Sequence, residues 1–483
     1  MKKCIVILYA FILASCGVPL GEGDLPENRE LPEYPEIIWY TPGSRPVDFD
    51  LGMENINRYI EDKLRVRLDM RMLPWQEMNE KSLQIVNSGE AFDIMFIDSV
   101  NYNTFVTLGA FYDITDVVRS VAADLWEVIP DLVWSGVKIG GRIYSVPTYK
   151  DIALAQFLVF DKELADKSGI DVSALETWED LDTALTKIKS VNGDGFYPVV
   201  LSRNDTFSGV LNGFDSFGSG LPVISVRTDD PYRRVICILE DETFVNRLEM
   251  LRKWYLNGII NPDANMIFEN TVPRRFFSAV GWPGAEAIWQ RNEGVEAYVS
   301  KRIFGPVLSS ETIQGSLNAI SSNSTKKRES LKLLEQINLD PVLRDMFAYG
   351  VEGVHFEYVG DGVVRRLNNN WNVPVFSQAT FFTMSATDEG PANQWELLRE
   401  QNNMAEASVM LGFSMDISEL STELSACRAI WDKYKIDFLT GASDLDTEIS
   451  QCLDELRAAG MDILISEAQK QINIFTANGG FGS

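Results

Sequence analysis

Histidine occurs once in these 483 residues, at position 355. That excludes multi-histidine metal sites and HExxH proteases, and it leaves a serine–histidine hydrolase only if His355 does everything. The residue sits in a turn-like stretch, Gly350-Val351-Glu352-Gly353-Val354-His355-Phe356, without a nucleophile motif nearby. A hydrogen-bonded structural imidazole is expected there. Cysteine is also scarce: Cys237, Cys427 and Cys452 are the three in the body of the chain. They are too few for a disulfide framework and too widely spaced for a zinc site. Cys427 and Cys452 fall on two helices that could pair antiparallel, so a bridge between them in an oxidising compartment and two buried free thiols are both open. Basic residues are outnumbered, 43 Lys and Arg against 70 Asp and Glu, for a net charge of −27. Such a chain is a poor nucleic-acid binder, because phosphate affinity comes from Lys and Arg, and it is kept off anionic headgroups. No segment after the N-terminus is long and apolar enough to cross a membrane.

The N-terminus has what the rest lacks. Met1-Lys2-Lys3 is a short basic stretch, and Cys4 to Ala14 runs uncharged around Ile5-Val6-Ile7-Leu8. This is the length of a signal-peptide core and short of the about 20 residues needed to span a bilayer. It ends in Leu13-Ala14-Ser15-Cys16, which resembles the bacterial lipobox. Residues 1–15 are therefore expected to be a signal peptide and Cys16 the lipidated first residue, with several acyl chains (palmitate among them) giving a stable anchor. Residues 16–35, rich in Gly, Pro and Glu, read as a flexible leash. The remaining chain carries ample core material, at 45% hydrophobic residues, and its length suggests two or three domains.

Glu36 to Tyr40 reads as a strand closed by Thr41-Pro42-Gly43. A helical face follows, with Met53, Ile56, Ile60 and Leu64, and then a strand in which Val66, Leu68, Met70 and Met72 alternate with polar residues up to Pro74. Trp75 to Val86 reads as a helix and Phe92 to Asp98 as a buried strand. The order β-α-β-α-β implies a mainly parallel sheet covered on both faces, with ligands collecting at the carboxyl ends of the strands. A hairpin turns at Gly140-Gly141 and returns through Arg142 to Val146. The chain then crosses, through Pro147 to Asp151, into the apolar run Ile152 to Phe160. Thr177-Trp178-Glu179-Asp180 starts a helix with a near capping box. Gln314 to Ile320 reads as a strand. The basic run Lys326-Lys327-Arg328 opens an amphipathic helix, where a solvated first turn is preferred to an anion site. From Trp395 onward the chain is mostly helical. There is no internal repeat and no low-complexity tract.

Several stretches, in this order, carry a family resemblance: Ser88 to Met95, Tyr144 to Lys150, Gly315 to Ser321, Tyr349 to Glu357, Leu439 to Ala442 and Leu456 to Gly460. With them the chain resembles the extracellular solute-binding lipoproteins of ATP-driven carbohydrate importers, in the subgroup with a C-terminal extension domain. The resemblance implies a two-lobe α/β fold of the periplasmic-binding-protein type (type II), with discontinuous lobes joined by a hinge and closing on a sugar. Lobe one is expected at 36–148 and 304–370, and lobe two at 149–303 and 371–483. It further implies no catalytic residue, cofactor or metal, an extracytoplasmic monomer, and ABC permease subunits as partners. In the second lobe Arg274 to Phe277 and Gly281 to Gly284 match no diagnostic pattern.

A sugar offers apolar C–H faces to aromatic rings and hydroxyls to carboxylates, amides and Arg. The candidate ligand contacts are Trp39 and Tyr40 at the first strand end, Asp98 at the third, Tyr149 at the crossing, Trp282 and Trp371 in loops, and Glu352. Two rival readings are a surface glycoside-acting enzyme and a sensor or adhesin on the same fold. The first needs a carboxylate pair that the sequence does not place, and the second follows from the independence of fold and function.

Overall fold

A computed structural model describes residues 34–480. The leader, Cys16 and nearly all of the expected leash lie outside the described residues. Strand β1 (Glu36–Pro42) is followed by α1 (Phe49–Leu64), whose buried Met53, Ile56 and Ile60 pack on the sheet. Next come β2 (Arg67–Leu73), α2 (Met78–Ser88) and β3 (Ile94–Ile97). Trp75 to Glu77 form a 3₁₀ turn ahead of α2, so the expected helix starts three residues late. The hairpin at Gly140-Gly141 pairs only Lys138–Ile139 with Arg142–Ile143. Its returning strand then splits away as β4 (Ser145–Pro147) and joins the main sheet.

The chain crosses at 148–153 into β5 (Leu154–Asp161). Helix α3 (Trp178–Asn192) starts with the capping box complete: the Asp180 N–H donates to Thr177 Oγ1, and Thr177 N–H donates to the Asp180 carboxylate. Then come β6 (Phe276–Val280), α4 (Glu286–Glu293) and β7 (Tyr298–Leu308). Back in the first half are β8 (Leu317–Ile320), α5 (Lys327–Leu339), α6 (Pro341–Tyr349), and the hairpin of β9 (Phe356–Gly360) and β10 (Val363–Arg366). Gln314 belongs to the short helix Ser310–Gln314 rather than to the strand expected there. Helix α7 (Gln394–Asn403) precedes three C-terminal helices: α8 (Ser421–Thr440), α9 (Leu445–Ala458) and α10 (Met461–Ala477). Helix α8 stops at Gly441, where φ is +75° and a Cβ would lie 2.3 Å from the Leu251 carbonyl oxygen. Only glycine fits that left-handed stop against a neighbouring backbone.

The first sheet has the order β2-β1-β3-β8-β4. β1 runs parallel to β2 and β3, whereas β8 is antiparallel to β3 and β4, with Leu317 opposite both Ile97 and Pro147. The exits of β1, β2, β3 and β4 and the entry of β8 therefore share one edge. In the second sheet β5 lies between β6 and β7 and is antiparallel to both, and Glu406–Ala407 adds beside β7. Val280 opposite Gln156 and Val307 opposite Leu154 put the end of β6, the start of β5 and the end of β7 at the edge nearest the crossings.

Each sheet has its own core. The first gathers Trp39, Phe96, Trp134 and Phe347, together with Trp371, Val373 and Ala379, which lie past the boundary at 370 expected from sequence. The second gathers Phe160, Trp254 and Phe276 with Cys427, Trp431, Phe438 and Cys452 of the C-terminal helices. A smaller cluster of Tyr349, Phe356, Val364, Phe381, Met384 and Leu398 lies between them, with Trp282 and Trp395 packed against it. The three cysteines of the described residues are buried free thiols. Burial pushes the Cys237 and Cys452 thiols up to about 12 and Cys427 to about 11.

Candidate functional site

The shared edge of the first sheet presents three groups. Pro74 ends β2, since it can neither extend the strand nor donate to the ladder. The 3₁₀ turn after it holds Trp75 half exposed, at 50%, with its ring edge-on to Phe376 at 5.8 Å. Asp98 follows β3, and its carboxylate accepts the Val100 N–H at 3.1 Å. Burial holds its pKa above the usual carboxylate value. Tyr149 follows β4. Its ring meets Phe382 edge-on at 4.5 Å, and its carbonyl accepts from the Thr380 hydroxyl at 2.7 Å.

The second lobe supplies the facing groups. After β6 the chain turns through Gly281-Trp282-Pro283-Gly284, with the Gly281 N–H donating to the Ala155 carbonyl. Gln401 of α7 donates its Nε2 to the Gly281 carbonyl at 2.9 Å, and Asn402 donates Nδ2 to the Lys150 carbonyl at 2.6 Å. Helix α7 thus ties this turn to the first crossing. On the same helix Trp395 packs on Phe381 at 5.1 Å, and the Arg399 guanidinium lies 4.6 Å from the Phe382 ring centroid.

This junction concentrates unmet hydrogen-bonding capacity. Trp282 Nε1, Thr383 Oγ1, Trp395 Nε1, Gln401 Oε1 and Asn402 Oδ1 are buried with no hydrogen-bond partner among the described residues. Each such group costs about 1–3 kcal/mol, so a cluster of them next to aromatic faces is a place that a polyhydroxylated molecule or ordered water fills. The arrangement can stack rings on C–H faces and exchange hydrogen bonds with hydroxyls. Among the described residues no group of three or more His, Cys, Asp or Glu stands where it could hold a metal.

The residues expected from sequence to touch the ligand divide accordingly, and three of them, Trp39, Tyr40 and Trp371, are engaged within the protein itself. Trp39 is fully buried in the first sheet and donates Nε1–H to Asn318 Oδ1 at 3.1 Å. Trp371 is 1% exposed, stacks on Phe49 and donates Nε1–H to the Phe347 carbonyl at 2.9 Å. Gly52 makes room for it, because a Cβ there would lie 2.0 Å from the indole. Both tryptophans serve packing because their one polar atom is already satisfied. The Tyr40 hydroxyl is taken by Glu90 at 2.5 Å and by Arg71 at 3.0 Å. Glu352 stands exposed on the turn between α6 and β9. Asp98, Tyr149 and Trp282 lie at the facing edges. Trp75, Trp395, Arg399 and Asn402 join them, although sequence reasoning does not single them out. The available signals are a tryptophan directly after a strand-ending proline, and a Trp-Arg pair four residues apart on one helix face.

Two other expectations resolve cleanly. His355 is buried; its Nδ1 accepts the Val351 N–H at 2.9 Å, so Nε2 carries the proton and faces Asp48 at 3.1 Å. Of the basic run, Lys326 pairs with Asp93 at 2.7 Å and Lys327 lies 4.9 Å from the Tyr112 ring centroid. Two buried carboxylates mark the lobe junction. Asp215 accepts from the Ser408 hydroxyl at 2.6 Å, and Glu311 accepts from the Ser216 hydroxyl at 2.7 Å. Burial raises the pKa of both, and the charge of Asp215 raises that of Glu311 further.

Residues 68–255 match the family of bacterial extracellular solute-binding proteins, and residues 409–477, the C-terminal helices, match a domain of unknown function. The chain is 26% identical to a carbohydrate ABC transporter substrate-binding protein of Streptococcus pneumoniae, covering 98% of this chain and 97% of the relative. Its fold is similar to the solved N-glycan transport solute-binding protein of Streptococcus pneumoniae, with a TM-score of 0.83 at 25% identity, covering 92% of this chain and 99% of that one. The same protein in complex with Man5GlcNAc gives 0.76 at 25% identity, over 92% and 100%. An HMO-binding, ABC-transporter-associated solute-binding protein from Bifidobacterium longum infantis gives 0.62 at 14%, over 92% and 99%, which speaks to fold alone.

Proposed function

We propose that this chain, whose residues 68–255 match the bacterial extracellular solute-binding proteins, captures an oligosaccharide between its lobes and delivers it, chemically unchanged, to an ABC permease. The observation that carries the reading is the cluster of unpartnered buried polar atoms beside Trp282 and Trp395. Relatives described as binding N-glycans and carbohydrates point the same way. Trp282 and Trp395 stack on the sugar, Arg399, Asn402 and Gln401 bond its hydroxyls, and Asp98, Tyr149 and Trp75 contact it from the first lobe. Ligand touches both lobes only when they are closed, so it shifts the open–closed equilibrium by its differential affinity for the closed form. That closed form is what the permease reads. Acyl chains on Cys16 hold the monomer to the membrane on the extracytoplasmic side, and the leash gives the lobes reach.

Titration calorimetry with Man5GlcNAc tests the reading. Trp282→Ala is expected to weaken binding at least tenfold, about 1.4 kcal/mol, with an unchanged melting temperature. Wild-type affinity in the variant removes Trp282 from the site. Cleavage of the glycan by purified protein, followed by mass spectrometry, turns the reading into that of an enzyme.

A further inference from the structure

Beside Trp395 a cavity of about 110 Å³ opens between α4 of the second lobe and the strand and loop around residues 384–395. Space of that size holds several waters. Its rim carries an ion pair between Arg291 of α4 and Glu389, both about half exposed. Deeper in stands Arg366 of β10, its guanidinium 5.1 Å from the Tyr349 ring centroid. The neighbouring Arg365 takes Asp388 at 2.8 Å and Glu357 at 3.5 Å. Arg366 has no carboxylate within ion-pair distance among the described residues. Burial lowers its pKa, opposed by Tyr349 and Glu389 and aided by the charge of Arg291. Trp395 lines the same cavity, and its indole N–H has no acceptor among the described residues.

We infer that this cavity receives an anionic substituent, a carboxylate or a sulfate, carried on the sugar held in the adjoining cleft. The inference rests on the sugar-capture reading and narrows its substrate class. Sugar hydroxyls both donate and accept, whereas Arg366 and the Trp395 indole can only donate. A group with acceptors alone satisfies both, and its charge offsets the cost of a partly buried, unpaired guanidinium. The Tyr349 ring beneath Arg366 supports the guanidinium, whose planar fork suits two-point contact with a carboxylate or sulfate. Arg291, paired with Glu389 at the rim, places a second positive charge beside the incoming anion.

Calorimetry on the full chain with three probes decides the matter: a neutral disaccharide, its hexuronic-acid counterpart and its sulfated counterpart. At least one acidic probe is expected to bind at least tenfold more tightly than the neutral one. The carboxylated and sulfated arms tell which anion is preferred. Arg366→Met abolishes the advantage while leaving neutral-sugar affinity and melting temperature in place, and Arg366→Lys restores part of it. Neutral binding equal to or tighter than both acidic probes overturns the inference and leaves sugar capture standing. An advantage that survives in Arg366→Met with the fold intact overturns it too. No binding of any of the three while Man5GlcNAc still binds overturns this inference alone, and no binding of Man5GlcNAc either overturns both readings.

Discussion

Trp39 and Trp371 differ from Trp282 and Trp395 less in size of contact than in what their single polar atom does. In the first pair the indole N–H reaches Asn318 Oδ1 and the Phe347 carbonyl. In the second pair it is buried beside aromatic neighbours and has no acceptor among the described residues. A folding core satisfies such a group, because leaving it unmet costs about 1–3 kcal/mol. A binding site withholds the partner so that a ligand brings it. The same contrast separates the carboxylates. Asp340, at the start of α6, receives Lys63 at 2.7 Å, Tyr59 at 2.8 Å and the first backbone N–H groups of that helix. Among the described residues Asp215, at the lobe junction, accepts only the Ser408 hydroxyl and the Phe217 N–H, and Glu311 accepts the Ser216 hydroxyl; with no cation paired to either, burial keeps both raised.

Substitutions that separate folding from binding test this contrast. The largest effect is expected for Trp371→Ala, which empties a core site and costs about 3–5 kcal/mol of stability. Urea unfolding measures it, and the fraction still folded should bind Man5GlcNAc normally. A loss of affinity without a loss of stability would erase the distinction. Trp395→Phe keeps a ring and removes the N–H. It is expected to lower affinity several-fold, in line with about 0.5–1.5 kcal/mol for one hydrogen bond, and to leave unfolding unchanged.

The smallest effects concern pH. Burial opposes the charge of Asp340, but Lys63 and Tyr59 outweigh it and hold the pKa below the usual value. Its stabilisation is therefore present above the unfolded carboxylate pKa, about 3.9, and is lost as pH falls through the folded value. Asp215 and Glu311 have the opposite sign. Their contribution is present below the unfolded pKa and is lost as pH rises through the raised folded value. Asp340→Asn should lower the melting temperature at neutral pH and lose that effect in acid. Asp215→Asn should flatten the fall in melting temperature as pH rises above the unfolded carboxylate pKa, about 3.9. Parallel pH profiles for the two variants would show that core and junction carboxylates behave alike.

Structure is legible in this chain where a single segment decides the outcome. Thr177 and Asp180 form their capping box because both partners lie within one turn. The β-α-β-α-β order at the start also emerges from periodicity alone. The site is harder to read, because it depends on contacts far apart in sequence. Trp282 meets α7 more than a hundred residues later, through the Gly281 carbonyl and Gln401. Trp39 and Trp371 look as eligible as Trp282 in the sequence, since an aromatic at a strand end or in a loop is apolar in either setting. What separates them is the acceptor for the indole N–H, supplied by β8 and α6. The split of the returning strand after Ile143 has the same origin: Ser145–Pro147 leaves its hairpin because β8 offers it a longer-range partner. His355 is legible as structural from the absence of a nearby nucleophile, although its contact with Asp48 spans 307 positions.

Closure of two lobes around an intact guest is the central claim. Small-angle X-ray scattering of the full chain, with and without saturating Man5GlcNAc and with the glycan recovered afterwards, tests it most directly. A smaller radius of gyration in the loaded protein and the glycan returned whole are expected. Superimposable profiles at proven saturation, or a shortened glycan, would contradict it.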